Sequence, residues 1–204
     1  MYITKPKDEF LNRQHTTAVL KNLIRQPSAR EAPPCPSCHL AESSSAFNNS
    51  SCNCNCPNAA QALSSDPDKH PIESLVVPLV FELSSLRLMQ PCWSCEGHNA
   101  PDNQTLWKLP QVHFYALSPI YVQLLANHVN RLMLDKRLGC AWRVSFSNFG
   151  QTWGITYTLE PNLNGVDVPP SLVSMQQDLQ TISEGLADAI KREAGTLLSA
   201  ISTT

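Results

Sequence analysis

Two cysteines and a histidine lie close together in the stretch PCWSCEGHN, residues 91–99. Cys92 and Cys95 are separated by two residues, and His98 follows Cys95 after a second gap of two. Thiolates at this spacing on a tight turn point the same way, and Gly97 gives the backbone the freedom to bring the imidazole round as a third donor. Because Zn²⁺ prefers sulfur and imidazole ligands, the pattern predicts a structural zinc site, a zinc-knuckle loop.

A tetrahedral zinc site needs a fourth ligand, and the sequence offers several. We expect His113, which follows in the next predicted strand, and the alternatives are Cys140, His39 or a thiolate from the N-terminal cysteines. If no protein donor fills the position, water completes the shell, and an open zinc of that kind supports hydrolysis. Glu96, inside the loop, is the carboxylate that would then act as a base, although no second carboxylate at a suitable spacing supports this role.

The same two cysteines have two other interpretations. A Cys-x-x-Cys pair beside Trp93 is similar to the pair of thioredoxin-like oxidoreductases. Those pairs open a helix, however, and the residues after Cys95 are poor helix formers. The remaining interpretation is that Cys92 and Cys95 are unliganded thiols in a turn.

A second group of cysteines lies in residues 27–71, a low-complexity segment rich in Ser, Asn, Pro and Ala. The segment has too few large apolar side chains for a core, so it is either a linker or a small zinc-ribbon-like appendage that a metal holds together. The expected ligands are Cys35, Cys38, Cys52 and Cys56, with Cys54 as an alternative. The predicted cofactor is therefore one or two zinc ions. Cys-Pro-Ser-Cys-His also fits c-type haem attachment, but no export signal accompanies it.

The apolar pattern predicts a helical segment at residues 1–26 and a main α+β domain at residues 72–204. The expected elements are an extended segment (74–88), the metal loop (91–99), a strand (109–117), a helix from Ser118-Pro119 to Leu134, a hairpin (142–146 and 153–159) and a long helix from Ser171. About four mostly antiparallel strands with helices on one face would bury these apolar positions. His128, on the apolar face of its helix, is predicted to be a packed core residue.

Charge and composition exclude several functions. The formal net charge is −2, which argues against a nucleic-acid binder. No apolar run reaches the roughly 20 residues of a membrane span. Phosphate-binding glycine loops, a Gly-x-Ser-x-Gly elbow and a His-Glu-x-x-His helix are all missing. The N-terminus has no apolar signal region, so we expect a cytoplasmic location with reduced thiols.

These patterns predict a zinc-binding protein that works as a protein-binding or regulatory module. The partner would contact the aromatic hairpin (Trp142, Phe146, Trp153, Tyr157), or two chains would pair through the C-terminal helix. The alternative function is a thiol–disulfide oxidoreductase or a zinc-dependent hydrolase that uses Cys92, Cys95 and His98.

Overall fold

A computed structural model of the protein describes residues 9–26, 72–102, 105–147 and 155–202. Within these ranges the helices are α1 (Glu9–Arg25), α2 (Val77–Ser85), α3 (Pro119–Leu134), α4 (Leu172–Ser183) and α5 (Leu186–Ser202). The strands are β1 (Met89–Cys95), β2 (His98–Asn99), β3 (Leu106–Lys108), β4 (Gln111–Ala116), β5 (Trp142–Ser147) and β6 (Thr156–Pro161).

Four strands form one antiparallel sheet in the order β1-β4-β6-β5. Cys95 pairs with Gln111 at the end of the β1–β4 ladder, and Val144 pairs with Leu159 in the predicted β5–β6 hairpin. The strands β2 and β3 form a separate two-stranded ladder. The predicted α+β class, with an antiparallel sheet of four strands, is confirmed.

The helices pack together and against the sheet around one apolar core. Helix α2 contacts β1, and α3 contacts both β4 and β5. Phe114 and Leu159 are fully buried beneath this layer. Helix α1 lies against α5, and its Leu20 and Leu23 are fully buried in the same core.

The prediction of an extended segment over residues 74–88 is wrong, because Val77–Ser85 form helix α2. Pro78 lies in its first turn, where an N–H would have no helical partner and the fixed φ suits the helix. Leu79 and Leu83 lie one turn apart and are both fully buried. A short apolar run fits a buried helix as well as a buried strand, so periodicity alone did not separate them.

The later helices begin at the serines that the sequence indicates. The Ser118 side chain accepts a hydrogen bond from the Ile120 amide at 3.3 Å, and Ser171 accepts one from Ser174 at 3.2 Å. The prediction of one long C-terminal helix is wrong, because the helix is interrupted at Gly185 (φ +63°), which separates α4 from α5. Within the described ranges, no helix has both the length and the apolar character needed to cross a membrane.

Candidate metal centre

The β1–β4 ladder leads into the β2–β3 ladder, and the chain bends between them at Gly97. Cys95 pairs with Gln111 on one side of the bend, and His98 pairs with Lys108 on the other. Gly97 has a φ of +85°, and a Cβ at this position would lie 2.7 Å from a leucine methyl of α4. The bend therefore requires glycine for its conformation and for its space.

Three donor groups lie together at this bend. Glu73 comes from the segment before α2, Cys95 is the last residue of β1 and His98 is the first of β2. One carboxylate oxygen, the thiol sulfur and one imidazole nitrogen all lie within 4.8 Å of one another. Glu73 Oε1 is 2.7 Å from His98 Nε2. Cys95 is buried, whereas the other two side chains are about one-third exposed, so one side of the group faces solvent.

Backbone amides hold two of the three donors in position. The Glu96 amide donates to Glu73 Oε2 at 2.7 Å, and the Gly97 amide donates to Cys95 Sγ at 3.4 Å. Hydrogen bonds to the ligands are typical of metal sites, because they orient each donor and tune its basicity. One carboxylate oxygen of Glu73 therefore faces His98, while the other accepts the hydrogen bond that orients the side chain.

Helix α4 braces the loop that carries Glu73. The Leu75 amide donates to Glu96 Oε2 at 3.0 Å, so the two loops contact each other through both glutamates. Gln180 Nε2 donates to the Leu75 carbonyl at 3.0 Å, and Gln176 Nε2 donates to the Glu96 carbonyl at 3.2 Å. The Glu96 carboxylate serves as a structural acceptor here, and its contact with Leu75 gives no support to a role as a general base.

Burial is the largest influence on Cys95, and it raises the pKa of the thiol. The hydrogen bond from Gly97 lowers that pKa, and the neighbouring Glu73 carboxylate raises it again. A divalent cation reverses this balance, because its charge stabilises the thiolate and the carboxylate together. Metal binding would therefore release a proton.

Cys92 lies apart from the three donors. Its neighbourhood is a strand rather than the tight turn that the spacing predicts, and the ladder shifts register between Pro91 and Trp93. Three residues of extended chain span about 10 Å. Cys92 is exposed while Cys95 is buried, and of the two thiols only Cys95 is among the three clustered donors. The role of Cys92 as a ligand stays a prediction.

The two thiols also lack the character of a redox dithiol. An attacking cysteine in an oxidoreductase has a lowered pKa. Burial instead raises the pKa of Cys95, and the partial loss of solvent around the exposed Cys92 raises the pKa of that thiol as well. Both residues lie on β1 rather than at a helix N-terminus, where the helix would favour a thiolate.

His113, the expected fourth ligand, makes different contacts. Its side chain is 7% exposed, and its Nδ1 lies 2.9 Å from Thr158 Oγ1. The ring meets Trp93 edge-on with centroids 5.1 Å apart. Burial lowers the pKa of His113. It is not one of the three clustered donors, and its role as a ligand stays a prediction.

Cys140, an alternative fourth ligand, is engaged with Asp178. Its Sγ donates to Asp178 Oδ2 at 3.4 Å. Burial, together with the adjacent carboxylate, raises the pKa of Cys140 to about 12. A thiol that remains protonated in this way is a hydrogen-bond donor rather than an available metal ligand.

The second predicted zinc site lies outside the described residues. This applies to Cys35, Cys38, Cys52, Cys54 and Cys56, and to His39. Their assignment as ligands, or as an alternative ligand of the first site, stays a prediction.

Glu73 is the donor that the sequence pattern missed. It lies far from Cys95 along the chain, and ligand-spacing rules cover only donors within one turn or loop. The local spacing did identify Cys95 and His98. A carboxylate just before an apolar run is an ordinary feature of a helix N-terminus, so Glu73 carried no separate signal.

Comparisons with models of protein families, with curated proteins and with solved structures found no match to this chain. A functional proposal therefore rests on the geometry of the site itself.

Proposed function

We propose that the protein binds one zinc ion through Glu73, Cys95 and His98, and that the ion has a structural role. The observation that carries this proposal is the approach of three different donors, from three separate segments, to within 4.8 Å of one another. Carboxylate oxygen, thiolate sulfur and imidazole nitrogen are all ordinary zinc ligands. Ligands about 2.0 Å from a tetrahedral zinc lie about 3.3 Å apart. The 2.7 Å contact between Glu73 and His98 therefore has to open only slightly.

A structural role is favoured by the place where the ion would bind. The three donors belong to the loop before α2, the end of β1 and the start of β2. A two-stranded ladder as short as β2–β3 is marginally stable alone. An ion that binds only the folded chain would add about 2.7 kcal/mol of stability at a hundredfold excess over its Kd. Zinc would thus fix the point where the main sheet passes into the short ladder.

A zinc-dependent hydrolase is the second candidate. Three protein donors, the number among the described residues, leave one position for water, as in catalytic zinc sites. Because Glu73 and His98 are partly exposed, solvent can reach the group of donors from their side. The thiol–disulfide oxidoreductase has no comparable support, because loss of solvent raises the pKa of both candidate thiols instead of lowering it.

The wider proposal is a protein-binding or regulatory module in the cytoplasm. Its support is Phe146, which is 66% exposed on the edge strand β5. Trp142 of the same hairpin is buried, so it serves the core rather than a partner. A homodimer through α5 would use Leu197, an exposed apolar side chain on that helix.

Metal analysis of matched variants tests the zinc proposal. Protein purified without chelators would be assayed for zinc by plasma mass spectrometry, and Cys95→Ser is expected to contain one ion fewer per chain than wild type. Cys92→Ser is the matched control, because it removes an exposed thiol three residues away and should keep that ion. Comparing the difference, rather than the total, separates this site from any metal held by residues 35–56.

Glu73→Gln and His98→Gln are expected to lose the same single ion, because each removes one donor. An unchanged zinc content in Cys95→Ser would overturn the proposal. Loss of the ion in Cys92→Ser as well would instead restore the two-thiolate site that the sequence spacing predicts. Zinc-dependent hydrolysis of a model ester would favour the second candidate, provided that the specific activity does not fall as contaminating proteins are removed.

A further inference from the structure

Strand β5 forms one edge of the main sheet, and no strand among the described residues pairs with its outer side. Its pairing with β6 runs from Trp142 to Ser147 without a register shift, and the strand contains no proline or lysine. The opposite edge strand, β1, contains Pro91 and a register shift beside it. Prolines and bulges keep an edge from pairing with another chain, so β1 is protected whereas β5 is open.

Two contacts at the start of β5 show which backbone groups point outwards. The Ala141 carbonyl accepts a hydrogen bond of 2.7 Å from the residue that follows β6, so Ala141 directs its carbonyl towards that strand. The Trp142 amide points the other way and donates to Met133 Sδ at 3.2 Å. Because the direction alternates along a strand, the N–H and C=O groups of Val144 and Phe146 also point away from β6.

The side chains along this edge are mainly apolar. Phe146 is 66% exposed, and Val144 lies half-buried on the same face of the strand. Leu134, the last residue of α3, is 82% exposed near the start of β5. Arg143 is the charged residue of the strand, and its guanidinium lies 2.9 Å from Glu160 of β6. The edge therefore suits a partner strand that brings apolar side chains and no unpaired charge.

We propose that the outer edge of β5 pairs with the same edge of a second copy of this chain, in an antiparallel dimer whose twofold axis passes through Ser145. In this register, Val144 exchanges backbone hydrogen bonds with Phe146 of the partner subunit, and the symmetric pair does the same. The two four-stranded sheets then form one continuous sheet. This dimer rests on the wider proposal that β5 contacts a protein partner, and it does not depend on the zinc ion.

The hydrogen-bonding groups favour this register. An axis at Ser145 uses the outward groups of Val144 and Phe146 in both strands, and it leaves the Trp142 amide bonded to Met133. An axis at Val144 would instead place Phe146 opposite Trp142 of the partner subunit, whose amide is already engaged. The Ser145 register also brings each exposed Phe146 against Val144 of the partner subunit, on the apolar face.

The charges of the strand permit the symmetric pairing. Serine at the axis places no charge against its own copy. The two Arg143 residues would lie about 13 Å apart along the strand direction. Exposed charges at that separation are largely screened, and each arginine keeps its ion pair with Glu160. The strand is thus complementary to its own copy in hydrogen bonds, apolar side chains and charge.

A cysteine at the proposed axis tests the register. Ser145→Cys is expected to form a disulfide between two chains on mild oxidation, because opposed residues of a non-hydrogen-bonded antiparallel pair have Cα atoms about 4.5 Å apart. Arg143→Cys is the matched control, because its two copies lie too far apart to bond. Mass spectrometry of non-reduced peptides identifies the bond between the two engineered residues and separates it from bonds of the native cysteines. Equal crosslinking at both positions, or none at Ser145→Cys, would overturn the proposal.

Sedimentation velocity over a range of protein concentrations tests the dimer itself. Wild type should reach twice the mass of one chain, whereas Phe146→Lys should remain a monomer, because a charge on an open edge strand prevents pairing. Leu117→Lys is the matched control, since Leu117 is 78% exposed and follows β4, away from the β5 edge. This control should dimerise like wild type. Urea unfolding and zinc content of both variants show whether each has kept the fold.

Three results would contradict the pairing of β5. A wild type that stays monomeric at every concentration would overturn the dimer; if that monomer bound another protein through Phe146, the wider proposal would stand without it. Dissociation by Leu197→Lys but not by Phe146→Lys would place the contact on α5. Dissociation by a zinc chelator, with Phe146→Lys still dimeric, would show that metal and not β5 joins the chains.

Discussion

At the scale of single residues, Gly97 has a special place in the metal centre although it supplies no ligand atom. Its φ of +85° is strained for any residue with a side chain. A Cβ there would lie 2.7 Å from Leu172 Cδ1 and 2.9 Å from the backbone nitrogen of Pro110. The leucine side chain can adjust, but the proline backbone belongs to the opposite side of the bend and has little room to move. Conformation and space therefore both select glycine.

Gly97→Ala is expected to lower the free energy of unfolding by about 2–5 kcal/mol. Of this, about 1–2 kcal/mol comes from the left-handed backbone and about 1–3 kcal/mol from the forced contacts. Gly165→Ala is the matched control, since its φ is +74° but a Cβ added there would meet no atom within 4 Å. Gly165→Ala should lose only the backbone part. Equal losses in urea unfolding would show that the close approach at Gly97 contributes nothing.

The separation of the site residues along the chain determines which of them the sequence could predict. The spacing of Cys95, Gly97 and His98 predicted that these positions meet at one bend. The same spacing rule assigned Cys92 to the site, because a gap of two residues fits a turn and does not reveal that the chain is extended there. Glu73 was beyond any local rule, since a tertiary contact brings it to Cys95.

At the scale of elements, the N-terminus of α5 is capped by a carboxylate from α2. Glu82 is 3% exposed, and its Oε2 accepts a hydrogen bond from the Ala187 amide at 3.0 Å. Ala187 is the second residue of α5, where backbone N–H groups lack helical partners. A negative charge at the positive end of the helix dipole is favourable, particularly when partly or fully buried.

Glu82→Gln is expected to lower the free energy of unfolding by about 1 kcal/mol, and Glu82→Ala by about 2–3 kcal/mol. The amide retains an acceptor without the charge, whereas alanine leaves a buried N–H without its partner. Exchange of the Ala187 amide should accelerate in the same order. Glu184→Gln is the control, because its carboxylate is 68% exposed and its pairing with Arg137 is worth less than about 1 kcal/mol. A similar loss in Glu184→Gln would refute the capping role.

Helix α2 was harder to predict than α3 because its contacts with other elements are not visible in its own sequence. Helix α3 carries its own start signal in Ser118 and Pro119, and its apolar residues recur at helical spacing. Helix α2 lies between β1, α4 and α5, so its apolar residues occupy most of its circumference and the helical period disappears. Its cap on α5 is a contact between elements, which the sequence of α2 does not announce.

At the scale of the whole molecule, Asp178 joins the helical layer to the sheet. It is 3% exposed on α4 and accepts hydrogen bonds from the Gly139 amide at 2.7 Å and from Trp142 Nε1 at 2.8 Å. The Cys140 amide and thiol donate to the same carboxylate at 3.2 Å and 3.4 Å. The alternating apolar pattern predicted the strands of the sheet, and the helical pattern predicted the helices. The hydrogen bonds of Asp178 between these two layers could not be predicted, because an aspartate among other polar helix residues is ordinary.

Asp178→Ala is expected to lower the free energy of unfolding by about 3 kcal/mol or more, because it leaves several donors without an acceptor, and each buried one costs about 1–3 kcal/mol. Asp178→Asn should lose less, since one oxygen can still accept from the loop or from the indole. Near-UV circular dichroism of the buried Trp142 should change with either variant, as its N–H loses or exchanges its acceptor. Asp188→Asn, on the exposed side of α5, should stay within about 0.5 kcal/mol of wild type. Wild-type stability in Asp178→Ala would mean that apolar packing alone holds the helices to the sheet. The donors that now contact Asp178 would then find other acceptors at no cost.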